Sequence, residues 1–430
     1  MVIVLPPGAS GGYLADSSVL SPASLRVRAF PGGGPGERPG RCLRASAVAV
    51  AAARGWLGAG TVPGGAASAA AIGSSAAAGS SAAAAAAQRS MAIRALLDLR
   101  LSVRPDGAVV AGWHRYWNYT WPRDSSWVAV ALAGTGHPAD AFRVLRFLQR
   151  QQSRDGTWAA RYYPDGAGPV LDGRAAELDA DGWVPWAVWS WYSAQAPAPA
   201  VRRELAQLWP MVSAAADAGA RALTRGGLPR PAMDYWENSV TVTLGTAAPL
   251  LAGLRAAADL GRETGSAAAG RWAGAAGRLA LAIRTGFGGS GYHRLAGAGG
   301  ADAAVTFLGP PFAEPDAGVS RAALSAQAAL RLPSGGLKPG ADWPGARGVA
   351  WTAETAFFAL FDAATGEHRR AAALLSWLAA HRTRFGALPE QVSPAGRPVS
   401  VAPLAWTDAV VLLAQLAQTR RLSIVPVPPR

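Results

Sequence analysis

Cysteine and lysine are almost absent from this chain of 430 residues, where each occurs once, as Cys42 and Lys338. A single thiol excludes an intramolecular disulfide and a metal site built from several thiolates. The five histidines show no HExxH motif and no other spacing typical of metal ligands. We therefore expect no metal site.

Charged residues are also few, at 16% of the chain, and the basic ones outnumber the acidic ones to give a net charge of +14. The basic residues are nearly all arginines scattered along the sequence, without the dense run typical of a phosphate-binding arm. The first long apolar run, 45–53, is too short to span a bilayer. We expect neither a nucleic-acid partner nor a membrane.

The same apolar run follows Arg41 and Arg44, which is the order of features in a signal peptide. It lies some forty residues into the chain, where such a signal does not normally occur. The sequence thus shows no clear N-terminal signal peptide and favours a cytoplasmic protein over a secreted one. It gives no indication of the oligomeric state.

Residues 1–87 differ in composition from the rest of the chain. They are rich in Gly, Pro, Ala and Ser, and 66–87 is a tract of low complexity. We expect a mostly irregular region, helical in part because alanine favours helices, with Trp56 and Leu57 docking on the main domain. The predicted domains are this region, a catalytic domain over 88–420 and a tail over 421–430.

Helical periodicity dominates from Arg89 onward, and few segments alternate as strands do. The pattern predicts helices in pairs separated by short breaks, which is typical of a solenoid or of a closed ring of hairpins. The predicted segments are 89–100, 125–133, 139–152, 182–194, 200–220, 246–264, 267–285, 320–331, 349–364, 367–382 and 403–419.

Four loops between these helices are distinctive: 113–124, 155–181 and 230–238 are rich in Trp, Tyr, Arg and Asp, and 386–400 is sparser. In a closed ring every second loop lies at the same end, so the four could line one cavity. Aromatic faces stack on sugar rings, and Asp and Arg bind hydroxyl groups. The alternative is that many of the 17 tryptophans pack in the core.

Two of these loops each place a glutamate beside apolar residues, Glu237 after Trp236 and Glu390 after Pro389. A carboxyl group against aromatic surface is poorly solvated, which favours its neutral form and suits a general acid. We interpret Glu237 as the acid and Glu390 as the base of a sugar-cleaving enzyme. The alternative is that both are solvent-facing residues at helix ends.

Three motifs together resemble glycoside hydrolase family 15, which contains glucoamylases, glucodextranases and some trehalases. They are Tyr119-Thr-Trp-Pro-Arg-Asp124, Asp234-Tyr-Trp-Glu237, and Leu388-Pro-Glu-Gln-Val392 followed by Ala402-Pro-Leu-Ala-Trp406. Their order and wide spacing agree with the family over roughly 89–416. The segment 56–64 is also similar to the one that precedes the first barrel helix in the family.

The resemblance implies an all-α (α/α)₆ barrel and inverting hydrolysis of α-glucosides from the non-reducing end, without a cofactor. It implies Glu237 as the general acid and Glu390 as the base, with an oligosaccharide or polysaccharide as substrate. The other residues that it implies around the sugar are Arg123 and Asp124 on its hydroxyl groups, Tyr119, Trp121, Trp236 and Trp406 among the pocket aromatics, Asp234 beside the acid, and Asp179 as a sugar contact.

Two positions depart from the family pattern. Asn238 replaces a second glutamate that holds the sugar on the leaving-group side, and Asp408 replaces an aromatic residue or histidine. Starch-type, dextran-type and trehalose-type substrates therefore all stay open. The alternatives to an enzyme are an inactive carbohydrate-binding relative with the same barrel and a helical-repeat scaffold. The scaffold predicts loops without clusters of Trp, Arg and Asp.

Overall fold

Helices make up most of the computed structural model, which describes residues 26–28, 42–44, 47–64, 75–114 and 116–427. The helices of this part are α1 Ala47–Ala59, α2 Ser75–Ser102, α3 Pro122–Gly134, α4 Pro138–Gln151, α5 Ala180–Ser193, α6 Pro199–Arg221, α7 Leu244–Glu263, α8 Ala269–Phe287, α9 Ala317–Leu330, α10 Thr352–Ala364, α11 His368–Ala380 and α12 Ala405–Thr419. The strands are β1 Arg26–Arg28, β2 Cys42–Arg44, β3 Ala350–Trp351, β4 Gln391–Val392 and β5 Pro398–Val399. Two 3₁₀ helices cover Gly288–Ser290 and Ala303–Leu308.

From α2 onward the helices alternate between an outer and an inner ring. The inner elements are α3, α5, α7, the 3₁₀ helix Ala303–Leu308, α10 and α12, each of which contacts the next, and α12 closes the ring on α3. The outer helices α2, α4, α6, α8, α9 and α11 pack around them. This is the predicted ring of six helical hairpins.

The sequence patterns predicted eleven helical segments from Arg89 onward, and the structure has a helix at each of them. The inner element Ala303–Leu308 was missed, because a single short 3₁₀ turn has too few residues to show a period. Asp302 starts this element by accepting a hydrogen bond from the Ala304 N–H group.

Helix starts follow ordinary capping chemistry. Pro122, Pro138 and Pro199 are the first residues of α3, α4 and α6, a position where the missing N–H group costs nothing. Thr243 caps α7 by accepting from the Thr246 N–H group at 3.2 Å, and Asp316 caps α9 through Val319 at 2.8 Å. These signals fix where the connecting loops end.

The inner ring encloses a core of large aromatic side chains around Trp127 on α3. Its indole lies between 5.2 and 6.4 Å, ring centre to ring centre, from Trp183, Trp186, Phe307, Phe312, Phe357 and Trp406. Neighbouring helices also approach closely where glycines meet. A Cβ atom on Gly182 of α5 would overlap the carbonyl group of Pro249 on α7, so only glycine fits at this crossing.

The N-terminal region is more helical in its described part than a mostly irregular segment would be. Helix α1 lies within 1–87, and α2 begins at Ser75 inside the Ala/Ser/Gly tract, since alanine forms helix readily. Trp56 stacks on His137 at 3.8 Å and donates to Asp140 at 2.7 Å, which matches its expected docking. The prediction for 1–25, 29–41, 45–46 and 65–74 lies outside the described residues.

Replacing Trp127 by alanine tests whether this aromatic core holds the ring closed. The side chain is fully buried, so its loss should lower the free energy of unfolding by about 3–5 kcal/mol. The matched control is Leu281→Ala on α8, whose residue is 55% exposed and should cost less than about 0.5 kcal/mol. Urea unfolding measures both, and equal costs would contradict this account of the core.

Candidate active site

The six segments that lead from an outer to an inner element lie at one end of the ring. Backbone pairing joins each segment to the next around the full circle, which fixes their relative positions. The links are Thr120 with Tyr162, Glu177 with Met233, Thr243 with Leu295, Asp302 with Gly340, Trp351 with Gln391, and the Ala405 N–H group with the Ala111 carbonyl at 2.9 Å. Four of the six segments contain the distinctive loops of the sequence.

A cavity of about 100 Å³ opens between these segments. Both predicted catalytic glutamates line it, together with four predicted sugar contacts, Trp121, Arg123, Asp124 and Trp406. The remaining lining residues are Ala111, Trp117, Tyr235, Trp343, Trp351, Ala353, Glu354 and Leu404. A concave site walled by tryptophan and carboxyl groups matches the chemistry expected for sugar binding.

Two tryptophans of the loop 113–124 donate hydrogen bonds to the carboxyl groups of both glutamates. The indole N–H group of Trp117 donates to Glu390 Oε1 at 3.0 Å, and that of Trp121 donates to Glu237 Oε1 at 3.0 Å. Each carboxyl group therefore has one oxygen fixed by a donor from the same loop, and the two face one cavity.

Glu237 lies at a strained turn and beside cations. Its φ of 53° is uncommon for a residue other than glycine, and its N–H group donates to the Asp234 carbonyl at 2.8 Å. Its carboxyl group forms an ion pair with Arg174 and lies 3.6 Å from Arg123 Nη2. The sequence suggested a carboxyl group against aromatic surface only. Arg123, which belongs to the Tyr119–Asp124 motif, and Arg174, which no motif indicated, place positive charge beside this carboxyl group and so favour its ionised form.

Asp234, which the resemblance implies beside the acid, pairs with a cation of its own. Its carboxyl group is fully buried and forms an ion pair with Arg294, Nη1 to Oδ2, at 2.7 Å. Arg294 in turn stacks on Trp236, with its guanidinium carbon 3.6 Å from the ring centre. The charge of Asp234 is thus compensated by a cation in direct contact with it.

Glu390 is buried, and burial raises the pKa of its carboxyl group above the ordinary value. The hydrogen bonds from Ser400 and Trp117 act in the opposite direction and lower this pKa. The structure fixes Glu390 through its backbone as well. Its N–H group donates to the Val401 carbonyl at 2.8 Å, and its own carbonyl accepts from the Thr352 N–H group at 3.0 Å.

Arg123 is the buried cation of the site. Its guanidinium group forms an ion pair with Glu177 and lies 3.6 Å from Asp179 and 3.4 Å from Asp124. Its carbon lies 4.8 Å from the centre of the Trp406 ring. Arg123 and Asp124 thus form an ion pair with each other, and both also line the cavity.

The carboxyl groups around Arg123 compete for one positive charge. Burial raises the pKa of Glu177 to about 8 and those of Asp124 and Asp179 to about 6 each, while the Arg123 charge lowers all three. The single charge of Arg123 thus offsets the effect of burial only in part at these three carboxyl groups.

Four residues predicted to contact the sugar do not line the cavity, and they lie one layer behind its wall. Asp179 lies behind Arg123, and Asp234 pairs with Arg294. Trp236 packs edge-on against Trp343 at 5.0 Å. Tyr119 packs edge-on against Trp121 at 6.2 Å. These four support the residues that face the cavity.

The sequence did not single out Tyr235, Trp343, Trp351 or Glu354, which line the cavity. Trp343 and Trp351 come from the segment before α10, which contains no recognised motif. One signal was available for Glu354. Four inner helices carry a buried acidic residue in the first turn, the end that favours negative charge, namely Asp124, Asp181, Glu354 and Asp408.

Metal ligands do not cluster within the described ranges, where no group of three or more His, Cys, Asp or Glu side chains could hold an ion. In the same ranges no helix combines the length and the apolar character needed to cross a membrane.

No model of a known protein family matches the sequence. Over 101 residues the chain is 32% identical to an uncharacterised glycosyl hydrolase of Methanocaldococcus jannaschii, a stretch that spans 23% of this chain and 16% of that protein. This relative is thus matched over a small part of its length.

Solved structures with the same architecture cover most of the chain. A wild-type glycosidase superposes with a TM-score of 0.66 at 20% identity, over 77% of this chain and 97% of the other. A family 15 glucoamylase from Hypocrea jecorina gives 0.65 at 16% identity, over 77% and 72%. A bacterial glucoamylase in complex with acarbose gives 0.63 at 18% identity, over 78% and 56%. The predicted fold is confirmed: this chain has the (α/α)₆ fold of glucoamylases and glycosidases.

Proposed function

We propose that this chain is an inverting, exo-acting glycoside hydrolase that releases glucose from an α-glucoside. The observation that carries the proposal is the pair Glu237 and Glu390, which face one cavity and are each held by an indole N–H group of one loop. Solved structures of this fold include a glycosidase variant with glucose and a glucoamylase with acarbose, which supports a carbohydrate as the ligand.

In the proposed reaction the terminal sugar lies among the tryptophans of the cavity. Protonated Glu237 gives its proton to the glycosidic oxygen as the bond to the anomeric carbon breaks. Ionised Glu390 takes a proton from a water molecule, whose oxygen bonds to that carbon from the opposite face. The product is the sugar with inverted configuration. This chemistry requires the two carboxyl groups to stand roughly 6.5–9.5 Å apart, which leaves room for the water.

Arg174 must leave Glu237 before Glu237 can act as an acid, since a paired guanidinium group favours the ionised carboxylate. The Arg174 side chain is 36% exposed and also lies 3.3 Å from Asp172. We propose that the leaving group of the substrate displaces Arg174 from Glu237, and that Asp172 keeps the arginine as its partner.

The same ion pair favours a second candidate, a carbohydrate-binding protein without activity. If Arg174 stays on Glu237 when a sugar binds, no group on the leaving-group side can donate a proton. Asn238, where the resembled family has a second glutamate, adds no acid there. This candidate predicts sugar binding without turnover.

Incubation with maltose, isomaltose, trehalose and soluble starch tests the proposal through glucose release. At least one should be hydrolysed, and Glu390→Gln should lower kcat by about 10²–10⁴-fold because the water loses its base. Glu237→Gln should have a comparable effect on natural substrates and a smaller one on an activated aryl α-glucoside, whose leaving group needs no proton.

The matched control is Glu367→Gln, which changes an exposed glutamate next to α11 and should leave kcat unchanged. Binding of the sugars without glucose release from any of them would favour the second candidate instead.

The hydroxyl group of Ser400 provides a test of the base through pH. Because its hydrogen bond lowers the pKa of Glu390, Ser400→Ala should raise that pKa. A base must be ionised to act, so the acidic limb of kcat/KM should move to higher pH. Ser393→Ala is the control, since this hydroxyl group accepts from the Arg397 N–H group in the same loop. Identical acidic limbs in the two variants would argue against Glu390 as the base.

A further inference from the structure

A third glutamate, Glu354, lines the cavity beside Glu390. It is the third residue of α10 and is only 3% exposed. The start of α10 is held against Glu390 and the strand β4 that follows it, because Trp351 pairs with Gln391 and the Thr352 N–H group donates to the Glu390 carbonyl at 3.0 Å. The positions of Glu354 and Glu390 relative to each other are therefore set by the backbone.

Among the described residues, Glu354 differs from the other carboxyl groups of the cavity in having no side-chain partner. Asp124 pairs with Arg123, Glu237 with Arg174 and Trp121, and Glu390 with Trp117 and Ser400. Among the described residues no side chain forms an ion pair or a hydrogen bond with the Glu354 carboxyl group, and its Oε2 is buried without a partner.

The backbone N–H group of Glu354 itself bonds to this carboxyl group, which leaves most of its hydrogen-bonding capacity unused. Unused capacity is costly in a buried carboxyl group, so a ligand in the cavity that fills it is stabilised. Burial raises the pKa of Glu354 to about 8. The hydrogen bond from its own backbone N–H group and the charge of Arg123 lower this pKa, while Glu390 and Asp302 add to the rise. The group is therefore mostly neutral at pH 7, with one O–H donor and an acceptor oxygen. A sugar hydroxyl group both donates and accepts, and so matches it.

The geometry points to Glu354 as a specificity-determining residue that binds one hydroxyl group of the sugar ring in the cavity. This inference rests on the proposed function only in taking a sugar as the occupant, and it does not require turnover. A sugar that lacks that hydroxyl group would leave Glu354 unpaired, which is how a polar site rejects an analogue.

The experiment compares binding of glucose and of each monodeoxyglucose to the full chain by calorimetry, for the wild type, Glu354→Leu and Glu354→Gln. We expect one deoxyglucose to bind the wild type about tenfold more weakly than glucose. For Glu354→Leu, the dissociation constant of that deoxyglucose divided by that of glucose should fall to about one. The same ratio for each of the other monodeoxyglucoses should stay as in the wild type. Glu354→Gln should keep most of the discrimination, because its amide also donates and accepts.

Asp408→Asn is the matched control. Asp408 is another buried carboxyl group in the first turn of an inner helix, but it does not line the cavity, so this variant should keep every wild-type ratio. Unchanged ratios in Glu354→Leu, an equal loss at all positions, or no binding of glucose by the wild type would each overturn the inference. Hydrolysis of the α-glucosides is scored separately. Failure of turnover with the ratio pattern intact would count against the proposed function and not against Glu354.

Discussion

The buried charge of Arg123 connects the parts of the site that come from different segments of the ring. Its guanidinium group meets Glu177 and Asp179 from the segment before α5, Glu237 from the segment before α7, and the Trp406 ring on α12. Removing one partner of a buried ion pair typically costs about 3–5 kcal/mol, because the other charge is left uncompensated. The position of Glu237 on the cavity wall therefore depends on Arg123, whose charge is compensated by the carboxyl groups of Glu177 and Asp179.

The fold could be predicted well from the sequence because its helices are long and periodic. Eleven of the twelve elements of the ring have an apolar pattern of their own, and prolines and capping residues mark several starts. The inner 3₁₀ helix Ala303–Leu308 could not be predicted in this way, because six residues are too few to show a period. Local sequence patterns also do not show that the ring is closed, since closure depends on contacts between α3 and α12, which are far apart in the sequence.

The site was predicted in part, and the errors share a physical cause. Motifs identified residues near the cavity, but sequence adjacency does not tell which side chain faces the cavity and which lies behind it. Asp234 and Trp236 pack on Arg294, a residue from a segment without a motif. Arg174 and Glu354 were missed because neither belongs to one of the three motifs, although each changes the electrostatics of the cavity. The resulting environments differ from those expected, since Glu237 lies beside cations while burial raises the pKa of Glu390.

The central claim is that Glu390 activates a water molecule on the face of the sugar opposite to Glu237. Proton NMR of the first glucose released by the wild-type protein from an α-linked substrate, recorded before mutarotation, tests this most directly. The account predicts β-glucose, because attack from the opposite face inverts the anomeric centre. Early α-glucose would show retention of configuration and would contradict the assignment of Glu390 as a water-activating base.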